Sequence, residues 1–122
     1  MKKTYFTVLL FIIFSCADNT NLGNDYYYLP EYEAMDIGYP NGAIIYKSFN
    51  KNVFKDVKIS ANVKKAKSNI NYIIALQIPK NSSKRNYFII DKRYDKIYGP
   101  LEKIDFFKLK SKMRINLNFD DK

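Results

Sequence analysis

The sequence contains no histidine and no tryptophan, and its single cysteine is Cys16. Because one cysteine cannot form a disulfide within the chain, packing alone must stabilise the fold. The lack of histidine removes the commonest general base and the commonest transition-metal ligand. With the only thiol near the N-terminus, the domain that follows has no cysteine nucleophile either. We therefore expect no metal, no cofactor and no catalytic residues.

Basic residues are missing from one part of the chain and abundant in another. Ala17 to Tyr46 holds five acids and no Lys or Arg, whereas Lys47 to Arg114 holds most of the 21 bases behind the net charge of +9. Such a distribution can attract an anionic surface, an anionic polymer or an acidic partner. The interpretation we prefer is an ordinary solvated surface in a chain rich in Lys, Asn, Ile and Tyr. Few of the bases are Arg, the residue best suited to phosphate and base contacts, so we do not expect nucleic-acid binding.

The N-terminal residues have the pattern of an export signal. Two lysines precede the apolar run Val8 to Phe14, which is much shorter than the about 20 residues needed to span a bilayer. The ending Ile13-Phe14-Ser15-Cys16 resembles a bacterial lipobox, in which the Cys thiol takes a diacylglycerol and a peptidase cuts before it. We predict a signal peptide over 1–15, a lipidated Cys16 and a flexible tether over 16–25. The alternative is an ordinary secretory signal with a chance cysteine.

The remaining residues, 26–122, have the length and apolar content of a single domain. Alternation of apolar and polar residues predicts a strand over 57–63, and apolar residues on both faces predict a central strand over 70–78. Residues 26–29 are expected to form an edge strand that ends before Pro30. Residues 43–47 are expected to form a strand that follows a turn with Pro and Gly, and residues 87–98 are expected to form a hairpin.

A helix is predicted over 102–113, where Phe106, Leu109 and Met113 form one apolar stripe. Ile104 and Phe107 are expected to widen the stripe, and the opposite face carries three lysines, namely Lys108, Lys110 and Lys112. The fold class is therefore α+β: a small antiparallel sheet of about five strands with one C-terminal helix packed on it, preceded by the signal peptide and tether.

Two short segments and the Phe106 that follows them carry a resemblance to a known group. Tyr87-Phe88-Ile89-Ile90-Asp91-Lys92 and the corner Lys96-Ile97-Tyr98-Gly99-Pro100-Leu101 resemble a family of small bacterial lipoproteins classed as a domain of unknown function. The resemblance covers about residues 57–113, and Glu102 departs from the family's Ser or Thr helix cap. It implies an α+β fold and a lipoprotein location but no activity.

Three functional hypotheses follow. The first is a non-enzymatic envelope lipoprotein, anchored to the membrane by its lipid, that binds an envelope protein, a glycan or a lipid head group. The second is an inhibitor or immunity-type protein that caps a secreted enzyme or toxin. An enzyme using a carboxylate pair is the third. We rank it last, because Asp91 and Asp95 are expected in an exposed turn and Glu31 and Glu33 in a loop.

Overall fold

Within residues 20–39, 43–51 and 53–120, which a computed structural model describes, eight strands form two antiparallel sheets of four. The first sheet contains, in spatial order, β1 (Asn21–Gly23), β2 (Tyr26–Leu29), β3 (Ile44–Lys47) and β4 (Asp56–Ile59). The second contains β5 (Val63–Ser68), β6 (Tyr72–Gln77), β7 (Asn86–Asp91) and β8 (Lys96–Leu101). Two helices complete this part of the chain, α1 (Glu31–Ile37) and α2 (Lys103–Lys112).

The two sheets lie face to face between the two helices. Because side chains alternate along a strand, Ile73 of β6 faces the first sheet while Ile74 faces α2. In the first sheet, Ile45 of β3 faces the second sheet while Ile44 contacts the side of α1. The order of layers is thus α1, first sheet, second sheet, α2. β6 is buried on both faces, which confirms the predicted central strand.

The predicted C-terminal helix and the packing of its stripe of Phe106, Leu109 and Met113 are confirmed. Phe106 is 1% exposed and its ring stacks on Tyr87 of β7, with 4.9 Å between ring centroids. Leu109 and Met113 pack in the same cluster, as does Leu101 at the corner between β8 and α2. The hairpin of β7 and β8 is also confirmed, as an antiparallel pair.

The expectation of one sheet with about five strands is wrong. The predicted strand over 57–63 is divided, because β4 ends at Ile59 in the first sheet and β5 begins at Val63 in the second. Asn62 has a φ of +56° in the connection. Ile59 and Val63 both face the interior between the sheets, so the alternation continues across the point where the chain changes sheets.

The N-terminal boundary of the fold also differs from the prediction. β1 pairs with β2, and its Leu22 is 5% exposed. β2 is therefore not an edge strand, and the tether does not extend to residue 25, because β1 buries apolar surface in the core. The predicted signal peptide, Cys16 and residues 17–19 of the tether lie outside the described residues, as does most of the predicted turn, 40–42.

Glu31 and Glu33 lie in α1, not in the loop that the sequence predicts. Ala34 is the one buried residue of this short helix, so the sequence carries no apolar stripe there. Pro30 stands at the N-cap, and Gly38 ends the helix with a left-handed φ of +76°. No helix among the described residues is long and apolar enough to cross a membrane.

Three side chains of α2 are placed differently from the prediction. Lys110 is buried, because it follows Phe106 by one turn and thus lies on the side facing the sheet. Its Nζ donates hydrogen bonds to the Leu117 carbonyl oxygen at 2.6 Å and to Asn118 Oδ1 at 2.7 Å. Ile104 and Phe107 do not widen the buried stripe, since they are 65% and 45% exposed.

Candidate functional site

A charged network joins the two sheets at one end of their interface. The Tyr26 hydroxyl on β2 donates a hydrogen bond to Asp95 Oδ1, in the turn between β7 and β8. Lys58 Nζ, on β4, lies 2.9 Å from Asp95 Oδ2 and 2.8 Å from Asp56 Oδ2. Four side chains from three segments that are far apart in sequence thus converge on one point.

The directions of the pKa shifts in this network favour a neutral Tyr26, an ionised Asp95 and a charged Lys58. Burial raises the pKa of Tyr26, and the hydrogen bond to Asp95 raises it further. For Asp95, burial favours a higher pKa, but the hydrogen bonds from Tyr26 and Lys58 outweigh it and hold the pKa below its ordinary value. Burial likewise opposes the charge of Lys58, whose bonds to the two carboxylates still raise its pKa. A carboxyl group held ionised in this way suits structure better than general-acid catalysis, which needs a raised pKa.

Acid should weaken the wild-type fold more than the fold of the Asp95→Asn variant. A depressed carboxyl pKa contributes stability that is present above the ordinary value of 3.8 and is lost as the pH falls through the folded-state pKa. Urea denaturation near neutral pH and at about pH 3 measures this difference. Exposed Asp36→Asn is the control and should keep the wild-type pH dependence. An Asp95→Asn variant as acid-sensitive as the wild type would contradict the structural role of the network.

Asp91 is not the exposed turn residue that the sequence predicts. It ends β7, is 4% exposed and accepts two hydrogen bonds from the Arg93 side chain, from Nε to Oδ1 and from Nη2 to Oδ2, both at 3.1 Å. The bond from the Arg93 side chain lowers the pKa of Asp91 below its ordinary value, despite burial. Arg93 Nη2 also donates to the Tyr72 hydroxyl at 2.6 Å. Asp91 and Asp95 are therefore held in two different ion pairs.

Glu31 and Glu33, the other carboxylate pair considered from the sequence, also contact two different basic residues. Glu33 lies 3.9 Å from Lys51 Nζ, and Glu31 lies 3.9 Å from Lys64 Nζ. In the described part of the chain, no group of three or more acidic side chains is arranged to hold a metal ion. Tyr98 is half-buried and packs in the apolar cluster between α2 and the second sheet. Lys96 Nζ lies 5.1 Å from the centroid of its ring.

An open cleft of about 260 Å³ lies next to the charged network. Its walls combine charged side chains with one aromatic ring: Asp25, Lys47, Ser48, Phe49, Lys55 and Asp56. Asp56 also contacts Lys58, and Lys47 Nζ lies 5.2 Å from the ring centroid of Tyr26. The cleft is thus lined both by a member of the charged network, Asp56, and by the strongly exposed Phe49.

Exposed apolar side chains occur on α1 and on the loop that follows β3, and we call this group the α1 surface: Tyr32, Met35, Ile37, Phe49 and Val53. Tyr32 and Met35 are 67% and 76% exposed, and Phe49 is 90% exposed. The helix and the loop that follows β3 are neighbours, because the Glu33–Lys51 contact joins them and both pack on the same cluster. Sequence analysis missed this surface because it did not predict α1.

These features define a small α+β domain with two stacked antiparallel sheets, a helix on each outer face, and Asp91 and Asp95 held in separate ion pairs. Residues 24–122 match the family described as Protein of unknown function (DUF3997), and the chain belongs to this family. Membership in a family of unknown function is thereby confirmed, over a longer part of the chain than the resemblance covered. No curated protein and no solved structure matches the chain.

Proposed function

We propose that this protein is a lipid-anchored protein of the bacterial cell envelope that binds a protein partner through the α1 surface and is not an enzyme. The observation that carries the binding proposal is the group of exposed apolar side chains on α1 and on the loop that follows β3. Isolated exposed apolar residues are normal, but several together mark an interaction surface. The lipid anchor rests on the sequence pattern that ends at Cys16.

The proposed lipid on Cys16 explains how the protein could be held on a membrane by its acyl chains. A lipidated cysteine with two or more acyl chains holds a protein stably on a membrane, whereas a single chain binds reversibly. β1 begins at Asn21, so only a few residues separate Cys16 from the folded domain. We infer that the domain is held close to the membrane surface.

The chemistry of the α1 surface favours a partner with an apolar centre and a basic rim. Tyr32 and Met35 lie three residues apart and thus on one side of the helix. Glu31 and Asp36 are exposed on the same helix, which has no basic residue in its last turn. Aromatic and methionine side chains are enriched at the centres of protein interfaces, and charge complementarity at the rim speeds association.

An inhibitor or immunity-type protein is the second candidate. Phe49 favours it, since this side chain is 90% exposed beside the cleft and has the size to enter an apolar pocket of a secreted enzyme. An enzymatic role receives less support, because Asp56, Asp91 and Asp95 are all engaged by basic side chains.

Affinity capture and crosslinking from the native envelope, with partners identified by mass, test the binding proposal. The Tyr32→Ala, Met35→Ala double variant should lose at least about tenfold of the captured partner, since truncated interface residues at a binding centre each cost over about 1 kcal/mol. Ile70→Ala is the matched control, because Ile70 is 84% exposed in the turn between β5 and β6. Equal capture by both variants would contradict the proposed surface. Loss of capture in a Phe49→Ala variant alone would favour the inhibitor.

A further inference from the structure

We propose that the outer face of α2 lies on an anionic lipid surface, an inference that rests on the proposed lipid anchor. The face consists of exposed apolar and basic side chains, which we call the α2 surface: Lys103, Ile104, Phe107, Lys108 and Lys112. The proposal assigns a second, separate contact to the molecule. The α1 surface would bind a protein, and the α2 surface would face the membrane.

The fold leaves the apolar side chains of the α2 surface largely exposed to solvent. Ile104 is 65% exposed and Phe107 is 45% exposed, although both belong to a helix whose other side buries Phe106. Residues three apart lie on one side of a helix, so Ile104 and Phe107 are neighbours. The Phe107 ring packs edge-on against Phe106 at 5.3 Å between centroids, so this contact holds it in place at the surface.

The charges around these two side chains are mostly positive. Lys103, Lys108 and Lys112 are exposed, and Arg114 is exposed just after the helix. The Lys110 ammonium is bonded to Leu117 and Asn118 and lies 5.2 Å from the centroid of the Phe107 ring. The acids of this region, Glu102 and Asp105, are confined to the start of the helix.

An anionic membrane fits this surface better than a protein does. Apolar side chains flanked by lysines on one helix are typical of helices that lie in a lipid interface, with the cations among anionic head groups. Lysine is depleted at protein interfaces, whereas it is favoured at membrane surfaces. The opposite side of the four layers carries Glu31 and Asp36 on α1, which anionic lipid would repel. Of the two helices, α2 is therefore the one whose exposed side chains suit an anionic membrane.

The absence of tryptophan from the chain allows a direct test. A Phe107→Trp variant places the only indole on the α2 surface, and Met35→Trp places it on the α1 surface as the matched control. Both are prepared as the lipidated protein and reconstituted in vesicles rich in phosphatidylglycerol or in vesicles of phosphatidylcholine alone. With brominated lipid in the anionic vesicles, Phe107→Trp should show a blue shift and loss of emission, and Met35→Trp should show neither. Adding Lys108→Gln and Lys112→Gln to Phe107→Trp should abolish both changes.

Sedimentation of the vesicles separates this inference from the anchor. Protein that sediments with vesicles but shows equal emission from Phe107→Trp and Met35→Trp would overturn the α2 inference alone. Protein that fails to sediment with either vesicle would overturn the anchor and this inference together. Crosslinking of the α2 surface to a protein in the native envelope, without quenching by brominated lipid, would identify a protein interface and would also overturn it.

Discussion

Replacing Phe106 by alanine should lower the free energy of unfolding by about 3 to 5 kcal/mol, the usual loss for a buried phenylalanine. The side chain is 1% exposed, and its ring stacks on Tyr87 at 4.9 Å and on Phe119 at 5.9 Å between centroids. Its removal leaves a cavity between α2 and the second sheet. Because a domain of this size is stable by only about 5 to 15 kcal/mol, urea denaturation should show a greatly lowered midpoint.

Lys108→Ala is the control on the exposed side of the same helix and should change stability by less than about 0.5 kcal/mol. Lys110→Ala is not a suitable control, because it would remove two hydrogen bonds that hold the segment after α2. If Phe106→Ala were as mild as Lys108→Ala, α2 would not be packed on the sheet as described.

Gly99→Ala should be the second strongly destabilising change, with a loss of about 3 kcal/mol or more. A Cβ at this position would lie 2.6 Å from Phe88 Cδ2 and 2.8 Å from the Tyr87 carbonyl oxygen, and the φ of +143° disfavours any side chain. Backbone strain and overpacking each cost about 1 to 3 kcal/mol. Thermal and urea unfolding of the variant measure the sum.

Gly38→Ala separates the two effects at Gly99. Gly38 has a φ of +76°, but a Cβ there would have no atom within 4 Å. It should therefore cost only the strain of a left-handed residue, about 1 to 2 kcal/mol. A Gly99→Ala variant no less stable than Gly38→Ala would show that the corner tolerates a side chain.

The second half of the fold could be predicted because its signals are local. Phe106, Leu109 and Met113 follow the helical period, and residues 70–78 carry apolar side chains on both faces. Both patterns arise from burial of one continuous element against its neighbours. The end of the hairpin was predicted wrongly, because β8 continues through Gly99 and Pro100 to Leu101 and accommodates them with a shift of register between Tyr87 and Ile89.

The division into two sheets had no local signal. Ile59 and Val63 face the same interior from different sheets, so the pattern of alternation is the one that a single strand would show. α1 was missed because one buried residue, Ala34, makes no periodic stripe. Burial of β1 depends on pairing with β2, which a polar, turn-rich segment does not reveal.

The candidate sites were still less accessible from the sequence. Tyr26, Lys58 and Asp95 meet only after the two sheets have stacked, and nothing in their spacing indicates this. The α2 surface was misassigned for a different reason. Ile104 and Phe107 are apolar residues beside a genuine core stripe, and a sequence pattern cannot distinguish a widened stripe from an exposed contact surface.

Metabolic labelling with a fatty acid tests most directly the claim that this is a lipid-anchored envelope protein. The wild-type protein should incorporate the label and fractionate with the membrane, because Cys16 is the single thiol of the chain. The Cys16→Ser variant should lose the label completely and either accumulate uncut or be released as soluble protein. Ser15→Ala keeps a small residue before the cysteine and should label as the wild type does. Equal labelling of the wild type and Cys16→Ser would contradict the anchor.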